Sequence, residues 1–218
     1  MKREIRSYVL RQGRITPSQK LFLEKLLPVF GIPFSNALID PASIFGRTAP
    51  VVLEIGSGMG ETTAEIAHQH PAFDFIAIEV HGPGVGSLLK KIDALGLNNL
   101  RVIRHDAVEV LASMIPDGVL AGIHLFFPDP WAKKRHHKRR LVQPPFATLA
   151  ARKLARDGYL HAATDWPEYA EQMDAVFSNE PLLQKADQSK ARPITKFERR
   201  GIGLGHAVRD LLFLRRQK

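Results

Sequence analysis

The chain of 218 residues contains no cysteine. That excludes a disulfide framework, thiolate zinc sites, iron–sulfur clusters and a cysteine nucleophile. No apolar run approaches the ~18 residues that a membrane-spanning helix needs. The opening stretch MKREIRSYVLRQGR is basic but has no apolar segment of the kind a secretory signal carries. The expectation is a cytoplasmic protein without membrane association. Aromatic residues make up 8% of the chain, and 22 Asp+Glu face 31 Lys+Arg, for a formal charge of +9. Such an excess draws polyanions, nucleic acid first and anionic membrane surfaces second. The hydrophobic fraction of 44% and charged fraction of 24% describe a chain with a real core rather than a disordered one.

No internal repeat or low-complexity tract is present. Residues 1–20 carry Lys2, Arg3, Arg6, Arg11, Arg14 and Lys20 against the single acid Glu4, and read as a basic arm ahead of one domain over 21–218. Residues 18–30 suggest a short amphipathic helix ending at Pro28. Residues 31–50, with Pro33, Pro41, Gly46 and Pro50, read as a linker.

From residue 51 the pattern alternates. VVLEIG (51–56), FDFIAIEV (73–80), LRVIRHD (100–106), GIHLFFPD (122–129) and GYLHAATD (158–165) are short apolar runs, and helical segments lie between them. This alternation predicts βαβ units and a parallel sheet covered on both faces. AVRDLLFLR (207–215) suggests an antiparallel edge strand. The fold class expected is therefore α/β and Rossmann-like, with a mostly parallel sheet and helices on both faces. Four runs end on or near an acid: Glu79, Asp106, Asp129 and Asp165. Ligands of open α/β sheets bind outside the carboxyl ends of the strands, where these acids fall.

The first run leads into a glycine loop with Gly56, Gly58 and Gly60, spaced G-x-G-x-G, and Glu61 stands where a dinucleotide fingerprint requires its last glycine. Glu54 and Glu61 on either side make the loop a poor host for a pyrophosphate. A cationic ligand without phosphate, S-adenosylmethionine, suits it better. Glu79 lies where an acid takes a ribose diol, Asp106 could accept from an adenine amino group, and Glu54 would serve the methionine end. A tight turn that binds nothing is the plainer reading of the glycines alone.

The segment LFFPDPWAKKRHHKRR joins a rigid aromatic–proline turn, presenting Asp129, to a basic run. Lys133, Lys134, Arg135, Lys138, Arg139 and Arg140 place six positive charges among eight residues, with His136 and His137 between them. A solvated face would account for such a run. Its start two residues beyond the turn favours a grip on RNA phosphates near a target base, with the histidines as further polar contacts. Trp131 offers a surface for stacking a base. Farther on, Thr195, Lys196, Phe197 and Glu198 sit in a glycine-rich loop. There Glu198 could accept from guanine N1–H and N2–H, and Phe197 is a second candidate for stacking. Other readings stay open on these residues: methylation of a different RNA base or of protein, or a non-catalytic RNA-binding module on the same fold.

Taken together, RSYVLRQGRITPSQ, EIGSGMG, IEVHGPGV, LRVIRHDAVEVL, LFFPDPWAKKRHHKRR, ATDW and RPITKFERRGIGLGH resemble the bacterial tRNA (guanine-N7)-methyltransferase family over nearly the whole chain. The resemblance implies a class I methyltransferase fold, S-adenosylmethionine as donor, S-adenosylhomocysteine as product and no metal. The implied partner is tRNA, with its variable-loop guanosine (position 46 in standard tRNA numbering) as target and no obligatory protein partner. It implies cofactor contacts at Glu54, Glu79, Asp106 and Asp129 beside the loop glycines. It also implies Asp129 as the active-site residue, substrate contacts at Lys133, Asp165 and 195–198, and an RNA-binding run over 135–140.

Overall fold

The computed structural model describes residues 6–9, 14–187, 192–195, 198 and 207–217. Each apolar run from residue 51 onward has become a strand of one sheet. β1 (Val51–Ile55), β2 (Asp74–Ile78), β3 (Leu100–Ile103), β4 (Leu120–Phe126) and β5 (Leu154–Thr164) run parallel. β6 (Leu183–Lys185) and β7 (Arg209–Arg215) complete it, β7 antiparallel to β5 and β6 antiparallel to β7. The order is β3-β2-β1-β4-β5-β7-β6. The order reverses between β1 and β4, so a crevice opens above the carboxyl ends of these two strands.

Helices cover both faces, and strand alternation decides which side chain meets which helix. Val51, Leu53 and Ile55 pack into the core under α5 (Ala107–Ser113), α6 (Pro144–Lys153) and α7 (Pro167–Ser178). Val52 points the other way, toward α3 (Glu61–Gln69), α4 (Gly82–Leu95) and α1 (Pro17–Phe30). Glu54 shares the Val52 face, so a carboxylate stands where the pattern otherwise places an apolar side chain. With both faces covered, β1 and β2 are buried along their whole length.

Several expectations are corrected. The first helix does not stop at Pro28 but runs to Phe30, with Thr16 and Gln19 forming a reciprocal N-terminal cap. Pro28 lies in the last turn, where its missing N–H costs one bond, and Gly31 N–H still closes onto the Leu27 carbonyl at 2.8 Å. The helix begins at Pro17, one residue ahead of the expected start, and so overlaps the stretch 1–20 read as an arm. The stretch 31–50 is not a bare linker: it holds α2 (Pro41–Phe45), capped by Asp40, and Arg47, whose guanidinium forks onto the buried Asp74 at 2.7 and 3.0 Å. The antiparallel strand foreseen at 207–215 is β7, but the outermost place belongs to the three-residue β6. Among the described residues no helix is long and apolar enough to cross a membrane.

Candidate functional site

A cleft of ≈ 630 Å³ lies at the carboxyl edge of the sheet, lined by Glu54, Gly56, Gly58, Glu79, Asp129 and Thr195 among others. β1 delivers Glu54 and the glycine loop, β2 delivers Glu79, and the turn after β4 delivers Asp129. In the loop, Gly56, Gly58 and Gly60 all have positive φ, of 77°, 56° and 76°. A side chain would strain all three; Gly56 and Gly58 bring their backbone against the cleft, whereas Gly60, expected as a cofactor contact, packs on Leu88 and does not line it.

Glu79 holds this loop in place. It is 8% exposed and accepts from Gly58 N–H at 2.7 Å and from His81 N–H at 2.8 Å. Val80 N–H is a third backbone donor beside it, so only part of the carboxylate's lone-pair capacity is left for a ligand. Burial raises its pKa, and the backbone donors pull the other way. Gly84, at the start of α4, completes the arrangement. A Cβ there would stand 2.4 Å from the Gly58 carbonyl oxygen and 3.2 Å from the Glu79 Cγ. The GPG at 82–84 was the available signal, and composition gave no reason to single it out.

Glu54 is more deeply placed, at 5% exposure. Burial pushes its carboxyl up to about 7, the Thr63 hydroxyl lowers it and the charge of Glu79 raises it further. A cationic group entering the cleft would favour the ionised form. Asp106, expected to accept from an adenine amino group, also has partners within the protein. One oxygen caps α5, accepting from Val108 N–H at 2.8 Å and Glu109 N–H at 3.4 Å, and the Tyr8 hydroxyl lies against its carboxylate. Its neighbours His105 and Ala107 reach the cleft wall. The donor set therefore fits a ligand that is cationic at one end and has a hydroxyl-bearing middle. Buried carboxylates, a close backbone and apolar walls such as Ile55, Ile78 and Phe126 are what such a molecule requires.

The turn after β4 is stiff and strained. Phe127 (φ 52°) and Trp131 (φ 46°) bracket Asp129 in left-handed backbone, which non-glycine residues seldom adopt. Phe127 N–H is anchored to the Ala163 carbonyl at 2.8 Å, and Arg140 Nε to the Pro130 carbonyl at 2.8 Å. Asp129, exposed on the cleft, is thus held at both shoulders.

The basic run forms a 3-10 helix (Lys134–Arg139) that sorts its charges. Lys133, Lys134, Arg135 and Lys138 are exposed. Arg140 departs from the expectation of an RNA contact. Its side chain is 1% exposed, bonds Gln172 at 2.6 Å and stacks over the Tyr169 ring. Arg139 lies over Trp131 at 4.1 Å and donates to the carbonyls of Arg6 and Tyr8. Trp131 therefore has Arg139 on one ring face, His136 at its edge and its indole N–H on the Ser7 carbonyl at 2.9 Å. This leaves it poorly placed to stack a base. His137 faces Glu168 at 3.5 Å and Arg140 at 3.0 Å. Residues 7–9 also line the cleft, a contact across more than a hundred residues that no local pattern announces.

Asp165 follows β5 at the same sheet edge but is not part of the cleft wall. Thr195 is, whereas Glu198 is turned toward Thr195 and Arg192. Lys196 and Phe197 lie outside the described residues.

Residues 48–211 match a family model described as "Putative methyltransferase". A tRNA (guanine-N(7)-)-methyltransferase of Methylobacillus flagellatus is 57% identical over 99% of this chain and 93% of its own. That of Nitrosomonas eutropha is 58% identical over 96% of both. Among solved structures, the 16S rRNA methyltransferase KamB superposes with a TM-score of 0.61 at 17% identity, covering 83% of this chain and 95% of that one. A 16S rRNA (adenine(1408)-N(1))-methyltransferase with cosubstrate SAM, from Catenulisporales acidiphilia, gives 0.55 at 15% identity over 82% and 92%. Likenesses at that identity bear on the fold alone.

Proposed function

The chain belongs to the tRNA (guanine-N7)-methyltransferase family, and from that premise we propose that it methylates N7 of the guanosine at position 46 of the tRNA variable loop, acting in the cytoplasm. The donor is S-adenosylmethionine, which supplies a methyl group on a cationic sulfur when bound, and S-adenosylhomocysteine is the product. The observation that carries the site assignment is the convergence of Glu54, Glu79 and Asp129 on one cleft beside a row of exposed cations.

In this reading Glu79 takes a ribose hydroxyl with the lone-pair capacity its backbone donors leave, and Glu54 faces the ammonium of the methionine end. Asp106 lies near the adenine, with only part of its carboxylate free of capping. Guanine N7 carries no proton at neutral pH and has an in-plane lone pair, so the chain needs no general base. Positive charge develops on the purine during transfer. The task left to the protein is to position the base and set a carboxylate against that charge, and Asp129 is the group so placed. Because N7 is often engaged in folded tRNA, the base is taken out of its stack to reach the cleft. Lys133, Asp165 and Thr195 are read as substrate contacts, of which Thr195 belongs to the cleft wall itself.

The direct test is to incubate the chain with unmodified tRNA and methyl-labelled donor, then digest and separate the nucleosides. Label in 7-methylguanosine, abolished when the variable-loop guanosine is changed to adenosine, is expected. Label in another nucleoside would redirect the chemistry, and no transfer would favour a binding role.

Two further outcomes are expected. The charge of Glu54 forms as pH rises through about 7. Donor affinity should therefore climb between pH 6 and 8 and level off above, by at most about tenfold per pH unit for one proton. Glu54→Gln should flatten that profile, and calorimetry at three pH values reads both. For RNA, replacing Lys134, Arg135 and Lys138 together with alanine should reduce the salt slope of tRNA binding by ~0.7–0.9 for each phosphate that is no longer neutralised. An unaltered slope would mean that this face does not touch RNA.

A further inference from the structure

Arg192 joins three parts of the site through one guanidinium. Its Nε and Nη2 fork onto the carboxylate of Asp210 on β7 at 2.7 and 3.0 Å. Its Nη1 donates to Glu198 Oε2 at 2.5 Å and to the Pro193 carbonyl at 3.3 Å. Its plane lies over the rings of Phe126 and Phe127, 5.3 and 5.5 Å from their centroids. The side chain is 6% exposed. Asp210 is fixed in turn by His161 on β5 at 2.8 Å, and the two strands pair Asp210 with Ala163.

The far end of this network is Thr195. Glu198 N–H donates to Thr195 Oγ1 at 3.0 Å, and Thr195 N–H donates to Glu198 Oε2 at 3.3 Å. This is the reciprocal geometry of a helix N-terminal cap, threonine and glutamate three apart. The same Glu198 oxygen that closes the cap is the one Arg192 holds. Phe127, under the guanidinium, opens the strained turn that carries Asp129 and is pinned to the Ala163 carbonyl.

We propose that Arg192 is a positioning residue that sets the gap between the Asp129 turn and the Thr195 segment, and through it the alignment of the target guanine for methyl transfer. A planar fork suits this task. Four of its five N–H groups are directed, and its face packs on the two phenyl rings at the end of β4. A lysine could supply the charge but neither the fork nor the plane. The inference rests on the methyltransferase reading of the cleft and adds a residue that touches neither reacting partner.

The test uses the full chain with Arg192→Lys and, separately, Asp210→Asn, which nearly keeps the shape of the partner. Four quantities are read: the single-turnover methylation rate at saturating donor and tRNA, affinity for S-adenosylhomocysteine, affinity for tRNA, and the melting temperature. A misplacement of about 1 Å at the reacting centre costs on the order of 100-fold in rate. Arg192→Lys is expected to lose rate on that scale while both affinities stay within about threefold. Asp210→Asn should lose rate to a smaller extent with the same affinity pattern. If Arg192→Lys does not fold, Asp210→Asn alone decides. A rate near that of wild type in a folded variant would overturn the proposal, as would rate and affinities falling together. Wild type in the same assay separates the two readings. Transfer to guanine N7 by wild type leaves the methyltransferase reading intact whatever the variants do, and its absence would remove that reading and this inference with it.

Discussion

Asp129→Asn should slow methyl transfer on the order of 100-fold while tRNA affinity changes little, the scale seen when a preorganised polar group is removed from a developing charge. The amide has nearly the shape of the carboxylate, so the turn should persist. Phe127 and Trp131 keep their left-handed backbone, and Arg140 still holds the Pro130 carbonyl. What disappears is one negative charge facing the purine as it becomes cationic. An interaction that strengthens toward the transition state lowers the rate when removed, whereas one equally strong in the ground state lowers affinity. Single-turnover rates at saturating tRNA, compared with tRNA dissociation constants, separate the two cases. Equal losses in both would assign Asp129 to binding.

Glu79→Ala should weaken donor binding by roughly 10- to 100-fold, the range for one hydrogen bond to a charged group. Two effects combine. The ribose loses its acceptor, and the glycine loop loses the bond from Gly58 N–H that ties it to the end of β2. The tRNA affinity should be unchanged, because the exposed cations at 133–138 belong to a different segment and do not line the cleft. Gly84→Ala offers a check on displacement of the loop, and of the Glu79 side chain packed beside it, without removing the carboxylate. Its Cβ would press on the Gly58 carbonyl, and donor affinity should fall with Glu79 still present. Titration of the donor into each variant measures this, and an unchanged affinity in Glu79→Ala would contradict the assignment.

The parallel strands were legible where they are short and apolar and lead into glycine or an acid; the first residues of β5, 154–157, were not, because Arg156 and Asp157 are exposed and break the apolar pattern. Those stops also marked the sheet edge on which Glu54, Glu79 and Asp129 meet. β6 was not legible: only Leu183 of its three residues is buried, and its place comes from pairing with β7, not from local preference. The basic run was legible as charge but not as geometry. A linear reading treats Arg135 and Arg140 alike. The 3-10 turn instead leaves Arg135 in solvent and sends Arg140 onto Tyr169 and Gln172. Likewise, TKFE reads as a set of donors and acceptors for a base. The fold uses Thr195 and Glu198 first to cap each other, with Arg192 closing the pair. Contacts between Trp131 or Arg139 and residues 6–8 join segments too far apart in sequence for any periodicity to pair them.

The most direct measurement is a calorimetric titration of the purified chain with S-adenosylmethionine, without RNA. Carboxylates gathered above β1, β2 and β4 predict one site per chain, tightening as the pH is raised past neutrality and crippled by loss of Glu79. A flat titration at every pH, from a chain that is folded by its melting transition, would contradict the account at its root.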